Sequence, residues 1–162
     1  TKSASRCFDE LEYLNIDVLG MKGKSRVINI PNDRKQVWQQ IENVLRNPVI
    51  RRFVLREDMK LEKKAGISAL CEYSLLSDNV YPTYAVTKKE LKDSAVKVEK
   101  QVSELEEIGC VVLELGYFID FLGKGFQDPL SVVLSLTGEE QEEERVDISI
   151  NEMLEEYVWS KD

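Results

Sequence analysis

The clearest pattern of apolar positions begins after Thr87. Five apolar residues lie on one helical stripe, separated by four, three, four and three positions: Leu91, Ala95, Val98, Val102 and Leu105. Thr87 and Glu90 have the spacing of a capping box, in which each side chain bonds the backbone N–H of the other residue. Gly109 stands where a left-handed residue ends many helices. The pattern predicts a long helix over 88–108. We expect its stripe to pack on the sheet of its own domain; the alternative is that it docks a partner helix.

Apolar positions near the N-terminus predict a β-hairpin followed by a helix. Alternating apolar and polar residues within 8–19 favour a strand, and the β-branched segment 25–30 favours a second strand after a turn. Apolar residues at helical spacing then predict a helix near 33–46. Asn32 or Asp33 can cap this helix with a side-chain oxygen.

Three further segments form the middle of the predicted fold. Residues 49–61 are ambiguous, but their β-branched and aromatic residues favour a strand, with the basic residues on a wet face or at a partner. Residues 66–76 fit a short helix. Residues 110–122 predict a strand buried on at least one face, because apolar residues alternate there with Glu114 and Asp120. We expect each of these carboxylates to lie on the wet face or to pair with a lysine or an arginine.

The C-terminal part predicts short elements of both kinds. Residues 130–136 fit either a strand or a helix, and the acidic tract 138–145 fits an exposed loop. Alternating apolar residues over 146–150 favour a strand, and residues 153–158 favour a short C-terminal helix. Together these elements predict one α+β domain over residues 1–162, with a mixed sheet that includes the hairpin.

Residues 66–118 also resemble a winged-helix module, over about a third of the chain. A short helix precedes residues 87–93, which match the second helix of that family. Residues 96–108 match the third helix, and residues 109–112 then enter the wing. The chain departs from the family at the turn between the second and third helices, which has almost no residues and no glycine. Glutamates outnumber lysines in the third helix, so the resemblance implies a module that binds protein rather than DNA.

Charge changes this picture because it is sorted along the chain. Residues 22–64 carry twelve Lys and Arg against five Asp and Glu, whereas residues 65–162 carry eight against twenty-one. The formal net charge is −8. We expect the basic segment 46–64 to face the acidic region within the fold, since nucleic-acid-binding domains are usually basic overall. The alternative is that these regions bind partners.

The side chains most used in catalysis and metal binding are scarce. The chain has no histidine, which is the commonest general base and metal ligand. The three cysteines, Cys7, Cys71 and Cys110, are too far apart in sequence for a zinc-binding motif, and their odd number argues against a disulfide framework. We therefore predict no enzymatic activity, no cofactor, and no catalytic or metal-binding residue.

The same features predict where the protein works. Unpaired cysteines favour a reducing environment, so we expect an intracellular, cytoplasmic protein. No apolar run approaches the roughly 20 residues of a membrane span, so we expect no membrane association.

The function that these features favour is protein–protein interaction. We expect a regulator, an inhibitor or a complex subunit whose acidic surface binds another protein, for example a basic one. The residues expected to form that surface are Glu139, Glu140, Glu142, Glu143 and Glu144. The alternative is a nucleic-acid-binding module that uses the basic segment 46–64. Its expected phosphate contacts are Arg51, Arg52, Arg56 and Lys60.

Overall fold

The structure, a computed structural model, combines helices with two β-sheets. It describes residues 2–16, 18–29, 33–77, 81–93 and 107–160. The chain divides into two compact units, residues 1–45 and residues 46–162. Within the described ranges we number seven α-helices and five β-strands in chain order. The predicted α+β fold class is confirmed.

The first unit contains a β-hairpin between two helices. Its elements are α1 (Lys2–Tyr13), β1 (Leu19–Lys22), β2 (Ser25–Ile28) and α2 (Arg34–Ile41), and α2 continues as a 3-10 turn over Glu42–Val44. Strands β1 and β2 pair antiparallel, so a hairpin forms as predicted. Its first strand is β1 rather than a strand within 8–19, and the hairpin is a two-stranded sheet of its own rather than part of the mixed sheet. Gly23 has a φ of +64° at the turn, a conformation that favours glycine. Asp33 accepts the Gln36 N–H at 3.0 Å, which confirms the expected cap of α2.

The strand predicted over 8–19 is wrong, because most of this segment belongs to α1. Phe8 and Leu11 lie three residues apart and are the half-buried side chains of the described part of that helix. Arg26 of β2 holds the helix by donating to Asp9 at 2.6 Å and to Ser5 at 3.0 Å. Its guanidinium also lies 5.1 Å from the centre of the Phe8 ring. These contacts, distant in sequence, outweigh the short alternation that favoured a strand.

The second unit is built on a three-stranded sheet. Its strands are β3 (Val49–Leu55), β4 (Thr83–Thr87) and β5 (Cys110–Leu115), in the order β3-β5-β4. The central strand β5 pairs antiparallel with β3 and parallel with β4, and all six of its residues are buried. The predicted strand over 110–122 is therefore confirmed only as far as Leu115. Strand β3 confirms the strand favoured within 49–61 only as far as Leu55, and β4 was not predicted.

Backbone bridges continue the sheet beyond β4. Lys64 bridges Tyr84 on one side and Phe126 on the other, and Gln127 in turn bridges Asp120. The N–H of Ala85 donates to the Lys63 carbonyl at 2.8 Å. The outer edge of β4 is thereby covered by other parts of the chain. No strand among the described residues pairs with the outer edge of β3.

The second unit also contains five α-helices among its described residues. They are α3 (Gly66–Tyr73), α4 (Lys88–Asp93), α5 (Pro129–Ser135), α6 (Gly138–Glu142) and α7 (Glu144–Leu154), and α7 continues as a π-helical turn over Glu155–Trp159. The helix predicted over 66–76 is confirmed as α3, which ends at Tyr73. The ambiguous segment 130–136 is helical, and the C-terminal helical prediction is confirmed within α7 and its π-helical turn.

Two predictions for the C-terminal part are wrong. Residues 138–145 form α6 and the start of α7 rather than a loop, because Thr137 and Glu140 make a capping box. Residues 146–150 are helical rather than extended. Val146 and Ile150 are four residues apart and both buried, whereas Ile148 is half exposed. This is the spacing of a helix face, and it packs on the core formed with α3 and α5.

A buried glutamine links α3 and α5 to the end of the sheet. Gln127 is fully buried, accepts the Gly66 N–H at 3.3 Å and donates to the Ser135 hydroxyl at 2.8 Å. The Tyr73 hydroxyl donates to the Gln127 carbonyl at 2.8 Å. Because a buried amide is costly to leave unpaired, this network fixes the two helices in one arrangement.

The helix predicted over 88–108 is confirmed at its start and wrong at its end. Helix α4 begins at Lys88, and Thr87 and Glu90 form the expected reciprocal bonds of 3.3 and 2.8 Å. Residues 94–106, which hold four of the five stripe positions, lie outside the described residues. Residues 107–108 are not helical. The third helix of the winged-helix resemblance falls mostly on the same undescribed segment.

Gly109 does not have the left-handed conformation expected after that helix. Its N–H donates to the Leu55 carbonyl at 2.8 Å, beside the end of β3. A Cβ at this position would lie 2.3 Å from the carbonyl oxygen of Arg56. Glycine is therefore needed here for the close approach of two backbone segments.

Candidate interaction surfaces

Among the described residues, four ion pairs join the basic segment 46–64 to the acidic part of the second unit. They are Arg51 with Glu114, Arg52 with Glu140, Lys63 with Glu90, and Lys64 with Glu72. The N–O distances of the first three pairs are 2.5, 2.6 and 2.5 Å. The sorted charges of the sequence thus meet within the fold, as expected.

Arg51 neutralises a carboxylate that is buried in the central strand. The two residues are paired across β3 and β5, and Arg51 Nε donates to Glu114 Oε2 at 2.5 Å. The Glu114 side chain is 2% exposed, whereas that of Arg51 is 57% exposed. The expected wet-face position of Glu114 is wrong, and the alternative expectation of an arginine partner is confirmed. A buried carboxylate without a cation would be strongly destabilising, so Arg51 supplies the charge from the solvent side.

The second carboxylate of the predicted strand behaves differently. Asp120 is exposed, beyond the end of β5, and its Oδ1 accepts the Gly125 N–H at 2.8 Å. It therefore lies on the wet surface, as expected, and stabilises a local turn.

Arg52 lies on the opposite face of β3 from Arg51, because consecutive side chains of a strand point to opposite sides. It donates to both carboxylate oxygens of Glu140, with Nη2–Oε1 at 2.6 Å and Nη1–Oε2 at 3.4 Å. Glu140 Oε2 also accepts the Thr137 N–H at 2.8 Å, which completes the capping box of α6. Burial opposes ionisation of Glu140, but Arg52 and the Thr137 N–H together hold its pKa below the usual range.

The remaining glutamates of the predicted acidic surface lie at the junction of α6 and α7. Glu139, Glu142, Glu143 and Glu144 are exposed. Glu139 and Glu142 are three residues apart and lie on the same side of the α6 turn. Glu143 pairs with the exposed Arg145 at 2.5 Å. We call Glu139, Glu142 and Glu144 the acidic corner. Among the described residues, no lysine or arginine forms an ion pair with these three carboxylates.

The other two residues of the predicted nucleic-acid site lie beyond the end of β3. Arg56 and Lys60 are both exposed. Lys60 has a φ of +48°, and its N–H donates to Asp58 Oδ1 at 2.9 Å. The backbone N–H of Lys60 and the Tyr84 hydroxyl lower the pKa of Asp58. The structure thus spreads the four predicted phosphate contacts over both faces of β3 and the loop that follows.

The sequence pattern did not predict the ion pair between Lys63 and Glu90. Lys63 Nζ lies 2.5 Å from Glu90 Oε1 and 5.2 Å from the centre of the Phe118 ring. Lys63 and the Thr87 N–H and hydroxyl lower the pKa of Glu90 to about 2. The capping box could be recognised from local spacing, but the lysine that engages it comes from 27 residues away.

The described part of the chain contains no group of three or more His, Cys, Asp or Glu side chains that could hold a metal ion. Cys110 is buried, which raises the pKa of its thiol, and its Sγ lies 3.2 Å from the Glu57 carbonyl. Nor do the described residues include a helix that is both long and apolar enough to cross a membrane.

Comparisons with known proteins found no relative of this chain. No family model, no curated protein and no solved structure matches the chain.

Proposed function

We propose that the protein is a non-enzymatic protein–protein interaction domain whose acidic corner binds a basic surface of its partner. The observation that carries this proposal is that basic and acidic side chains of the second unit differ in how they are paired within the fold. Arg51, Arg52, Lys63 and Lys64 are engaged in ion pairs within the fold. The carboxylates of the acidic corner remain exposed instead.

The way α6 is held supports a role in recognition. Glu140 is the one glutamate of this helix that turns towards the sheet, where Arg52 binds it. This pair and the capping box hold the short helix in place, so the exposed Glu139 and Glu142 have fixed positions on it. Like charges placed together attract oppositely charged partners and accelerate association. We infer a cytoplasmic regulator, inhibitor or complex subunit.

A matched pair of variants tests the proposal. The variant E139Q/E142Q/E144Q removes the charges of the acidic corner. The control E62Q/E107Q/E152Q removes the same number of charges from exposed glutamates elsewhere in the second unit. Each variant, and the unmodified chain, is used for affinity capture from the native cells, with quantitative mass spectrometry.

We expect at least one protein to be captured by the unmodified chain and by the control, but not by E139Q/E142Q/E144Q. With that protein purified, the corner variant should lower the association rate constant by about tenfold at low salt, and added salt should reduce the difference. Identical capture and identical rates for the two variants would show that the acidic corner is not a binding surface.

Nucleic-acid binding through segment 46–64 is the alternative proposal. The pairing of Arg51 and Arg52 with carboxylates on opposite faces of β3 counts against one shared phosphate-binding surface. Fluorescence anisotropy with mixed single- and double-stranded oligonucleotides at low salt tests it. Binding that weakens steeply with salt would favour this alternative.

A further inference from the structure

Helix α6 has no apolar side chain that could hold it on the core. Its five residues are Gly138, Glu139, Glu140, Gln141 and Glu142, and none of them is buried. An isolated helix of this length is unstable in water, because nucleation costs more than so few backbone hydrogen bonds return. Most helices in proteins are stabilised by packing an apolar face, which α6 lacks. Polar contacts must therefore keep this helix in place.

One carboxylate makes several of these contacts. Glu140 Oε1 accepts Arg52 Nη2 at 2.6 Å, and Glu140 Oε2 accepts both Arg52 Nη1 at 3.4 Å and the Thr137 N–H at 2.8 Å. The same side chain thus completes the capping box and ties α6 to β3. We call the contacts of Glu140 with Arg52 and Thr137 the latch. Loss of the Glu140 side chain would remove both parts of the latch at once.

Gln141 adds a neutral connection between α6 and the end of α5. Its Nε2 donates to the carbonyl of Val133 at 3.0 Å and to that of Leu136 at 3.4 Å. Hydrogen bonds between neutral groups are weaker than those that involve an ionised group. The latch is therefore the stronger of the two connections.

The segment that contains α6 lies between two buried residues. Leu136 and Val146 both belong to the core that includes α3. The backbone is extended at Leu136 and again at Glu143, so α6 is continuous with neither α5 nor α7. Residues 137–143 can therefore move without taking Leu136 or Val146 out of the core. Segments with few buried apolar contacts are those that open locally in folded proteins.

We propose that residues 137–143 open and close as a local unit while the rest of the second unit stays folded, and that Arg52 is the positioning residue that keeps them closed. In the open state Glu139 and Glu142 lose their fixed positions. The latch thus regulates how much of the acidic corner is ready to bind, a role that rests on the function proposed above. A partner that binds only the closed corner would in turn stabilise the latch, because such coupling is reciprocal.

Amide hydrogen exchange of the unmodified full chain, followed by NMR, tests the opening. The N–H groups of Thr137, Glu140 and Gln141 are bonded within the segment and report on it. Those of Val111 and Gln127 are bonded in or beside the three-stranded sheet and report on unfolding of the whole unit. We expect protection of the first group to be at least about tenfold lower, with little dependence on low urea concentrations.

A core variant separates local opening from global unfolding. Ile67 is buried in the core that includes α3, and Ile67→Val removes one methyl group there. This change destabilises the closed and the open state equally relative to the unfolded chain. Exchange at Val111 and Gln127 should become about fivefold faster, while exchange within residues 137–143 should not change.

Variants of the latch test the role of Arg52. Arg52→Met should make exchange within residues 137–143 about fivefold faster. Arg52→Lys keeps the charge but not the planar fork, so its effect should be smaller. Glu140→Ala should have a larger effect than Arg52→Met, because it removes both parts of the latch. Glu139→Ala is the matched control, since this exposed neighbour is not part of the latch, and it should not make exchange faster.

Two results would overturn the proposal. One is equal acceleration of both groups of amides by Ile67→Val, because residues 137–143 would then open only when the whole unit unfolds. The other is equal exchange within residues 137–143 for Arg52→Met and Glu139→Ala, because Arg52 would then not keep the segment closed. These measurements use the chain alone, so they can succeed even where the capture experiment finds no partner for the acidic corner.

Discussion

Arg52 of β3 binds both carboxylate oxygens of Glu140 in α6, although 88 positions separate the two residues in the sequence. The pair ties the sheet to the short helix that presents the acidic corner. Both side chains are only partly accessible, at 31% and 21%. An ion pair in this setting is screened less by water than a fully exposed one.

We predict that this pair stabilises the fold by about 1 kcal/mol, measured as the coupling energy of a double-mutant cycle. The cycle uses Arg52→Met, Glu140→Gln and the double variant, with urea unfolding as the measurement. The exposed pair Arg145 and Glu143 provides the control, and its coupling energy should be near zero. Equal coupling energies for the two pairs would contradict the prediction.

The Arg52–Glu140 pair also predicts a pH dependence. The pKa of Glu140 is lower in the folded state than in the unfolded chain. Its contribution to stability is therefore fully present above the unfolded pKa and is lost as pH falls through the folded pKa. Between neutral pH and acid, the Arg52→Met variant should lose less stability than the unmodified chain. Parallel pH profiles would show that Glu140 does not contribute in this way.

The Arg51–Glu114 pair should behave as a buried charge that depends on its partner. Arg51→Met alone leaves Glu114 inside the sheet without a cation and should destabilise the fold by about 3 kcal/mol. Replacing both residues, as Arg51→Met with Glu114→Leu, should recover most of that loss because no buried charge remains. Thermal unfolding of the three proteins measures this. A double variant no more stable than Arg51→Met would argue that Glu114 is not destabilising when alone.

Glu90 should titrate well below an ordinary glutamate. Its pKa of about 2 reflects Lys63 first and then the Thr87 N–H, so Lys63→Met should raise the pKa towards the usual value. NMR titration of the Glu90 carboxyl carbon measures this directly. Thr87→Ala should also raise the pKa and should cost about 1 kcal/mol of stability through the lost helix cap. If neither substitution changes the pKa of Glu90, its contacts with Lys63 and Thr87 are contradicted.

Gly109 should tolerate no side chain. Gly109→Ala would place a Cβ 2.3 Å from the Arg56 carbonyl oxygen, so the two backbone segments must move apart. We expect a loss of about 2 to 3 kcal/mol in free energy of unfolding. Gly138→Ala is the matched control, since no atom lies within 4 Å of a Cβ there and alanine favours the helix α6. The control should be neutral or slightly stabilising, and equal effects would contradict the prediction.

Features with a local cause could be predicted from the sequence. The cap at Asp33, the capping box at Thr87 and the turn at Gly23 each depend on residues within three positions of one another. Such contacts form whatever the rest of the chain does. The strand predicted over 146–150 is wrong because its apolar residues fit two patterns. Positions 146, 148 and 150 alternate as in a strand, but 146 and 150 are also four residues apart, as on one face of a helix. Packing on α3 and α5 selects the helix.

The candidate surfaces were predictable in charge but not in arrangement. The sequence shows that the two charged regions are complementary, and this led to the expectation that they meet. It does not show that Arg51 and Arg52 have different partners, because those partners are set by the register of β3 with β5 and by the position of α6. Glu114 was misplaced for the same reason. One polar residue in an apolar segment does not show whether the strand is exposed on one face or buried on both.

The strand order β3-β5-β4 also has a consequence for biosynthesis. Both β3 and β4 pair with β5, and neither pairs with the other. During translation, residues 49–55 and 83–87 leave the ribosome without the strand that joins them. The three-stranded sheet cannot form until residue 115 has emerged, so β3 and β4 must wait without their shared partner β5, a period in which a nascent chain is open to aggregation and to chaperones.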